Sequence, residues 1–131
     1  MKVIIGSDNT KKEGWINTQK GDLNLLSLDT FSNMFPEKNI DCFLAEHVWE
    51  HLSFEEGIMA AKNCYKYLKP GGYLRITVPD KNFRNEWYQN IVQVGGPGPE
   101  DHPAFTHKIV YDYKLLERML SEAGFITNLL E

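Results

Sequence analysis

The chain has 131 residues, a length typical of one domain with a modest hydrophobic core. Hydrophobic residues make up 42% and charged residues 24%, and no apolar run approaches the ~20 residues that span a membrane, so we expect no membrane partner. The net charge of -4 and the scattered lysines exclude a basic nucleic-acid-binding surface. We expect one domain over residues 1–131 and, since no signal-peptide pattern is present, a cytoplasmic location.

Short apolar runs separated by polar turns open the chain. The β-branched run Lys2–Ile5 stops at Gly6 and predicts a buried strand. A second strand is predicted at residues 15–18, too close to the first for a crossover helix. One or two helical turns are predicted at residues 29–35, before Pro36.

A βαβ unit is predicted between residues 40 and 80. An apolar strand at 40–46 is followed by a helix at 53–68, where Ser53 is the N-cap and Glu56 completes a capping box. The sequence Lys-Pro-Gly-Gly ends this helix, and a strand at 73–78 follows. The two cysteines, Cys42 and Cys64, lack metal-ligand spacing and are predicted to be reduced core thiols.

The last third of the chain is predicted to contain a loose helix, a loop and a second capped helix. Residues 94–103 hold three Gly and three Pro and predict a mobile surface loop that covers one side of any site at the strand ends. Asp112 is the predicted N-cap of a helix that ends at Gly124, and residues 125–130 predict a final strand. The alternation of strands and helices favours a doubly wound, mostly parallel sheet of about six strands.

Polar side chains follow the predicted parallel strands. In open α/β sheets, ligands bind at the carboxyl ends of the strands. The residues at those ends are Glu46, His47, Glu50, His51 and Asp80. Glu46 and His47 are interpreted as functional, whereas Glu50 and His51 are interpreted as bracing the helix start.

The ordered set of segments resembles the class I S-adenosylmethionine-dependent methyltransferases. The matching pieces are VIIG (3–6), GWIN (14–17), EHVWEHL (46–52), LKPGG (68–72), VPD (78–80) and HKIVYDYKLLERMLSEAG (107–124). The resemblance implies a Rossmann-like sheet, here lacking the last hairpin strand, because the sequence ends where that strand would follow. It also implies S-adenosylmethionine as cofactor and methyl transfer to an acceptor, small-molecule or otherwise, that no residue here selects.

The resemblance also implies roles for particular residues. Gly6, Ser7 and Asp8 match the turn that approaches the methionyl part of the cofactor, where the family usually has more glycines. Gln19 matches the position of an acidic residue that accepts hydrogen bonds from the ribose hydroxyls. Glu46 and His47 border the cofactor and the acceptor. If a base is needed, His47 is the first candidate, because imidazole titrates near neutral pH.

Two other functions remain open from the residues. One is a binding module that kept the fold and lost the chemistry, because Gly6 stands alone and Gln19 is uncharged. The other is a zinc hydrolase, because His47 to His51 spell H-x-x-E-H. That pattern needs a helix and a third ligand, for which Glu117 and Glu122 are candidates. The predicted helix begins only at Ser53, so no metal is expected.

The remaining aromatic and apolar residues carry weaker expectations. Trp15, Trp49 and Trp87 could line a pocket for the sulfonium, but ordinary packing is the preferred interpretation. His102 and His107 flank Pro103 and are expected to be exposed or to sit in a lid. The apolar strand at 125–130 would present an open edge, so we expect a homodimer through it, or otherwise a frayed end.

Overall fold

The computed structural model describes residues 1–95 and 106–130 of the chain. Within this part, four parallel strands form one sheet in the order β2-β1-β3-β4. The strands are β1 (Lys2–Ile5), β2 (Ile16–Asn17), β3 (Ile40–Glu46) and β4 (Leu68–Thr77). The helices are α1 (Leu28–Met34), α2 (Phe54–Tyr67), α3 (Glu86–Val92) and α4 (Tyr113–Glu122), and one 3-10 turn spans Trp49–His51.

The predicted parallel βαβ unit is confirmed. Strand β3 pairs in parallel with β4, and α2 connects the two. Strand β1 lies on the other side of β3, and β2 pairs with β1 at the edge. All four strands therefore point the same way, and the carboxyl ends of β1 and β3 meet at one edge of the sheet.

The Lys-Pro-Gly-Gly segment is a bulge at the start of β4. Ile40 pairs with Leu68 and Cys42 with Tyr73, so the four residues between Leu68 and Tyr73 lie opposite one residue of β3. A Cβ atom on Gly72 would lie 2.9 Å from the Lys69 carbonyl oxygen. Glycine is required there because backbone approaches backbone closely.

The predicted starts of α2 and α4 are confirmed. The Ser53 hydroxyl accepts a hydrogen bond from the Glu56 amide (3.2 Å), and the Ser53 amide donates to Glu56 Oε1 (2.9 Å). Asp112 caps α4 by accepting from the Leu115 amide at 2.8 Å. These local contacts satisfy amides that a helix start leaves unpaired.

The strand predicted at residues 125–130 is wrong, and so is the expected count of about six strands for the part of the chain described. Gly124 adopts a left-handed conformation (φ 101°), and the Phe125 amide donates to the Leu120 carbonyl. This hydrogen bond closes the end of α4, and the ring of Phe125 then packs against Tyr65 of α2. Ile126 is 96% exposed and pairs with no strand. The homodimer was expected through the edge of this strand; because the strand is absent, that reason for a dimer no longer holds, and dimerisation itself remains untested.

Aromatic rings and small helix residues form the core beside the sheet. Phe31 of α1 lies 6.2 Å, centroid to centroid, from Phe43 of β3 and 5.1 Å from Tyr67 of α2. Both cysteines are free and buried, as predicted, and burial raises the pKa of the Cys64 thiol. This core fixes β3 against α2 and holds the turn between them in place.

The predicted loop and the membrane expectation are the last two points to compare with the structure. Most of the loop predicted at residues 94–103 lies outside the described residues. Among the helices of the described part, none is long and apolar enough to cross a membrane.

Candidate functional site

A crevice opens at the carboxyl ends of β1 and β3. Its volume is about 390 Å³, within the ~300–1,000 Å³ typical of small-molecule sites. Five of the six predicted cofactor-site residues line it: Gly6, Ser7, Asp8, Glu46 and His47. Ten further residues complete its wall: Ile4, Ile5, Thr10, Glu50, His51, Pro79, Tyr88, Ile91, Val92 and His107.

The turn after β1 forms one wall of this crevice. Gly6 (φ 60°) and Asp8 (φ 43°) both adopt left-handed conformations, and the Ser7 amide donates to the Thr18 carbonyl at 2.9 Å. A Cβ atom on Gly6 would lie 2.9 Å from Cγ2 of Val48. Gly6 is therefore required for two reasons, its backbone conformation and the close packing of the two strand-end turns.

Gln19 lies beside this turn without lining the cavity itself. Its Nε2 donates to Ser7 Oγ (3.2 Å) and to the Asp8 carbonyl oxygen (3.0 Å). Because a carbonyl can only accept, the amide nitrogen must face the turn and Oε1 remains available as an acceptor. The side chain is exposed, so a ligand can reach it.

Glu46 and His47 end β3 on the opposite wall. His47 has φ 55°, an uncommon conformation for a residue other than glycine, and its amide donates to the Thr77 carbonyl at 3.0 Å. This bond anchors the strained backbone to β4. The imidazole of His47 is 68% exposed, so it points away from the core and is accessible from the crevice.

Glu50 is buried within the same crevice wall. Its side chain is 1% exposed, and neither carboxylate oxygen has a hydrogen-bond partner among the described residues. Its Oε1 lies 3.5 Å from His47 Nδ1 and 3.9 Å from the Nε2 atoms of both His51 and His107. The interpretation of Glu50 as a helix brace is wrong, because Ser53 and Glu56 provide the cap of α2.

The segment at residues 106–108 brings the third histidine to this cluster. The Lys108 amide donates to the Glu50 carbonyl at 2.8 Å, and the Lys108 side chain contacts Glu56 Oε1 at 2.9 Å. His107 is 7% exposed, so the expectation that it is exposed is wrong. Its ring packs edge-on against His51, with centroids 4.8 Å apart.

Burial dominates the electrostatics of the cluster. It raises the pKa of the Glu50 carboxyl and lowers the pKa of His51, where the neighbouring His107 acts in the same direction. Burial, with the Glu50 carboxyl nearby, also raises the pKa of Tyr111 to about 12. Each shift favours the uncharged form, as expected for ionisable groups withdrawn from water.

The tryptophans and the H-x-x-E-H pattern do not form the sites considered for them from the sequence. None of the three tryptophans lines the crevice. Trp49 is fully buried in the core, Trp87 is 72% exposed, and the Lys12 ammonium lies over the ring of Trp15. The H-x-x-E-H pattern does not lie on one helix, since a 3-10 turn covers Trp49–His51 and α2 begins later. The position of His107 beside Glu50 was not predicted, although His107 begins the segment at residues 107–124 that carries part of the family resemblance.

Comparison with known proteins defines the family. The family described as "Methyltransferase domain" matches residues 7–128, and the chain belongs to this family. No curated protein matches the sequence.

Solved structures of two methyltransferases share the fold. A SAM-dependent methyltransferase from Archaeoglobus fulgidus superposes with a TM-score of 0.65 at 15% identity, covering 95% of this chain and 60% of that chain. The apo form of the S-adenosylmethionine-dependent methyltransferase SibL superposes with a TM-score of 0.56 at 17% identity, covering 95% of this chain. This chain spans 60% and 36% of the lengths of these two structures.

Proposed function

We propose that the chain is an S-adenosylmethionine-dependent methyltransferase that acts on an acceptor bound in the crevice at the ends of β1 and β3. The crevice itself carries the proposal, because it brings the glycine turn after β1 and the turn after β3 together at the ligand edge of a parallel sheet. Membership of the methyltransferase domain family supports it, as does the shared fold of the two methyltransferase structures.

The residues present fit this cofactor on the β1 side. The absence of a side chain at Gly6, together with the small, buried Ser7, leaves backbone of the turn accessible from the cavity. Gln19 Oε1 is free to accept hydrogen bonds from ribose hydroxyls, while its Nε2 fixes the side chain against the turn. We therefore assign Gly6, Ser7, Asp8 and Gln19 to cofactor binding.

The β3 side is assigned to the acceptor. When bound, the cofactor supplies an electrophilic methyl group on a sulfonium. The contribution of this chain is to align the acceptor and to exclude water from it. His47 is accessible and carries an imidazole that can take a proton from an acceptor hydroxyl or amine, and Glu46 lies beside it. We assign Glu46 and His47 to both cofactor contact and catalysis.

Calorimetric titration with S-adenosylmethionine and S-adenosylhomocysteine tests the proposal. We expect each to bind saturably at one molar equivalent and to compete for the same site. Absence of heat and of competition for both compounds would refute it. The second candidate function, a binding module without chemistry, predicts the same binding. It differs in predicting no transfer of labelled methyl to small molecules from a cell extract.

Gln19→Ala should weaken binding of both compounds by about 1 kcal/mol, or roughly fivefold, the net value of an ordinary hydrogen bond. Gln93→Ala is the matched control, since Gln93 is exposed and does not line the crevice. Calorimetry on the two variants measures the difference. Equal affinities would show that Gln19 does not contact the ribose.

A further inference from the structure

We infer that Glu50, His51 and His107 form a binding site for one divalent first-row transition-metal ion of the zinc type. Their ligand atoms, one carboxylate oxygen and two imidazole nitrogens, all lie within 4.8 Å of one another. Two of the three residues are buried, and all three line the crevice. Here Glu50 is itself a ligand and His107 comes from a distant segment, unlike the zinc-peptidase pattern considered from sequence.

The burial of the Glu50 carboxylate is the first observation that points to a bound ion. A carboxylate withdrawn from water is costly unless it is paired, hydrogen-bonded or bound to a metal. Both of its oxygens are buried and neither makes a hydrogen bond within the described part of the chain; the imidazole of His47, whose Nδ1 lies 3.5 Å from Oε1, is mostly exposed. A cation placed between Oε1 and the histidine rings would satisfy this carboxylate directly.

The tautomer of His107 is the second observation. Its Nδ1 lies 3.0 Å from the Val92 carbonyl oxygen, which can only accept, so Nδ1 carries the proton. In the neutral ring, Nε2 then presents a lone pair on the side facing Glu50 Oε1, 3.9 Å away. Two electron-rich atoms face each other across a gap that suits a positive ion. A ring nitrogen that binds metal while the other donates to a carbonyl is the usual arrangement.

The spacing of the three groups also suits an ion. Ligands bound tetrahedrally at about 2.1 Å from zinc lie about 3.4 Å from one another. The Nε2 atoms of His51 and His107 are each 3.9 Å from Glu50 Oε1, and no two of the three ligand atoms are more than 4.8 Å apart. Closure on an ion would therefore shorten the first two distances by about 0.5 Å and the widest separation by up to about 1.4 Å. The Nδ1 of His51 lies 2.6 Å from Thr106 Oγ1, which orients that ring as well.

The donor set selects the kind of ion. Imidazole nitrogen with a single carboxylate favours zinc, iron, cobalt or manganese over calcium and magnesium, which prefer all-oxygen sites. Because the cluster opens into the crevice, a bound ion would keep a position for an oxygen or nitrogen of the acceptor. That role rests on the proposed methyltransferase function, whereas metal binding itself does not.

Titration of the metal-free protein with zinc, followed by calorimetry and by thermal melting, tests the site. We expect one zinc ion per chain and an increase in melting temperature, since an ion that binds only the folded state stabilises it. Titration with Co²⁺ should give visible absorption bands of a low-symmetry nitrogen and oxygen site. Magnesium at the same concentration should produce neither effect.

Two variants locate the ion. Glu50→Gln keeps the size of the side chain, and His107→Gln serves if the first variant does not fold, which circular dichroism would reveal. Each should weaken zinc binding by at least the 10- to 100-fold that loss of an outer-shell partner costs. Glu46→Gln is the matched control: it removes a carboxylate from the same crevice but outside the cluster, and zinc affinity should not change.

Equal zinc affinity in the wild type and in folded Glu50→Gln and His107→Gln variants would overturn the metal site. So would equal binding of magnesium and zinc. The outcomes separate the two proposals. Absence of zinc binding together with binding of S-adenosylmethionine refutes only the metal site, and the reverse result refutes only the methyltransferase proposal.

Discussion

Trp49→Ala is expected to lower the free energy of unfolding by about 3–5 kcal/mol, the range for truncating a buried aromatic side chain. Trp49 is fully buried in the core, and its Nε1 donates to the Gly57 carbonyl at 3.2 Å. Alanine would leave a large cavity and an unpaired carbonyl between α2 and the turn that carries Glu50. Since domains are stable by about 5–15 kcal/mol, this is a large share of the total.

Urea unfolding followed by circular dichroism measures this loss, and Trp87→Ala is the control. Trp87 is 72% exposed on α3, so its truncation should change stability by less than about 0.5 kcal/mol. A loss below about 1 kcal/mol for Trp49→Ala, or equal losses for the two variants, would contradict the placement of Trp49 in the core.

Gly6→Ala is expected to weaken binding of S-adenosylmethionine at least tenfold, which corresponds to about 1.4 kcal/mol. A residue with a Cβ atom in the left-handed conformation costs about 1–2 kcal/mol. The new methyl group would also meet Val48 Cγ2 at 2.9 Å. Val48 follows His47 directly, so relief of this contact would displace both walls of the proposed cofactor site together.

Gly71→Ala is the matched control for Gly6→Ala. Gly71 also has a left-handed backbone (φ 79°), but no atom lies within 4 Å of the position of its Cβ, and it lies outside the crevice. Both variants should lose the stability that left-handed strain costs, and Gly6→Ala should lose more because its methyl group also meets Val48. Only Gly6→Ala should lose affinity in calorimetry. Affinity of Gly6→Ala within twofold of the wild type would show that this turn does not contact the cofactor.

Much of the fold could be predicted because its signals are local. Ser53, Glu56 and Asp112 satisfy amides within one turn of their own helices, so their roles are visible in short stretches of sequence. The apolar runs of β1 and β3 likewise indicate buried strands without knowledge of their partners. The strand predicted at 125–130 failed because an apolar run becomes a strand only where a sheet edge accepts it. There the Phe125 amide is already bonded to the end of α4.

The site could be predicted only in part. Gly6, Ser7, Asp8, Glu46 and His47 meet at the crevice because strand ends of a parallel sheet converge, which the βαβ pattern implies. The approach of His107 to Glu50 depends on a backbone bond between Lys108 and Glu50, two segments far apart in sequence. No local pattern encodes that contact, and without it Glu50 resembles an ordinary residue at a helix start.

A crystal structure of the chain with S-adenosylhomocysteine would show whether the crevice at the ends of β1 and β3 holds the cofactor. We expect the ligand to fill the crevice, with its ribose within hydrogen-bond distance of Gln19 and its amino-acid end against the turn at Gly6 and Ser7. The sulfur should then face His47. Another cavity is lined by Lys38, Tyr65 and Phe125. Density for the ligand there, or no density at saturating concentration, would show that the crevice is not the cofactor site.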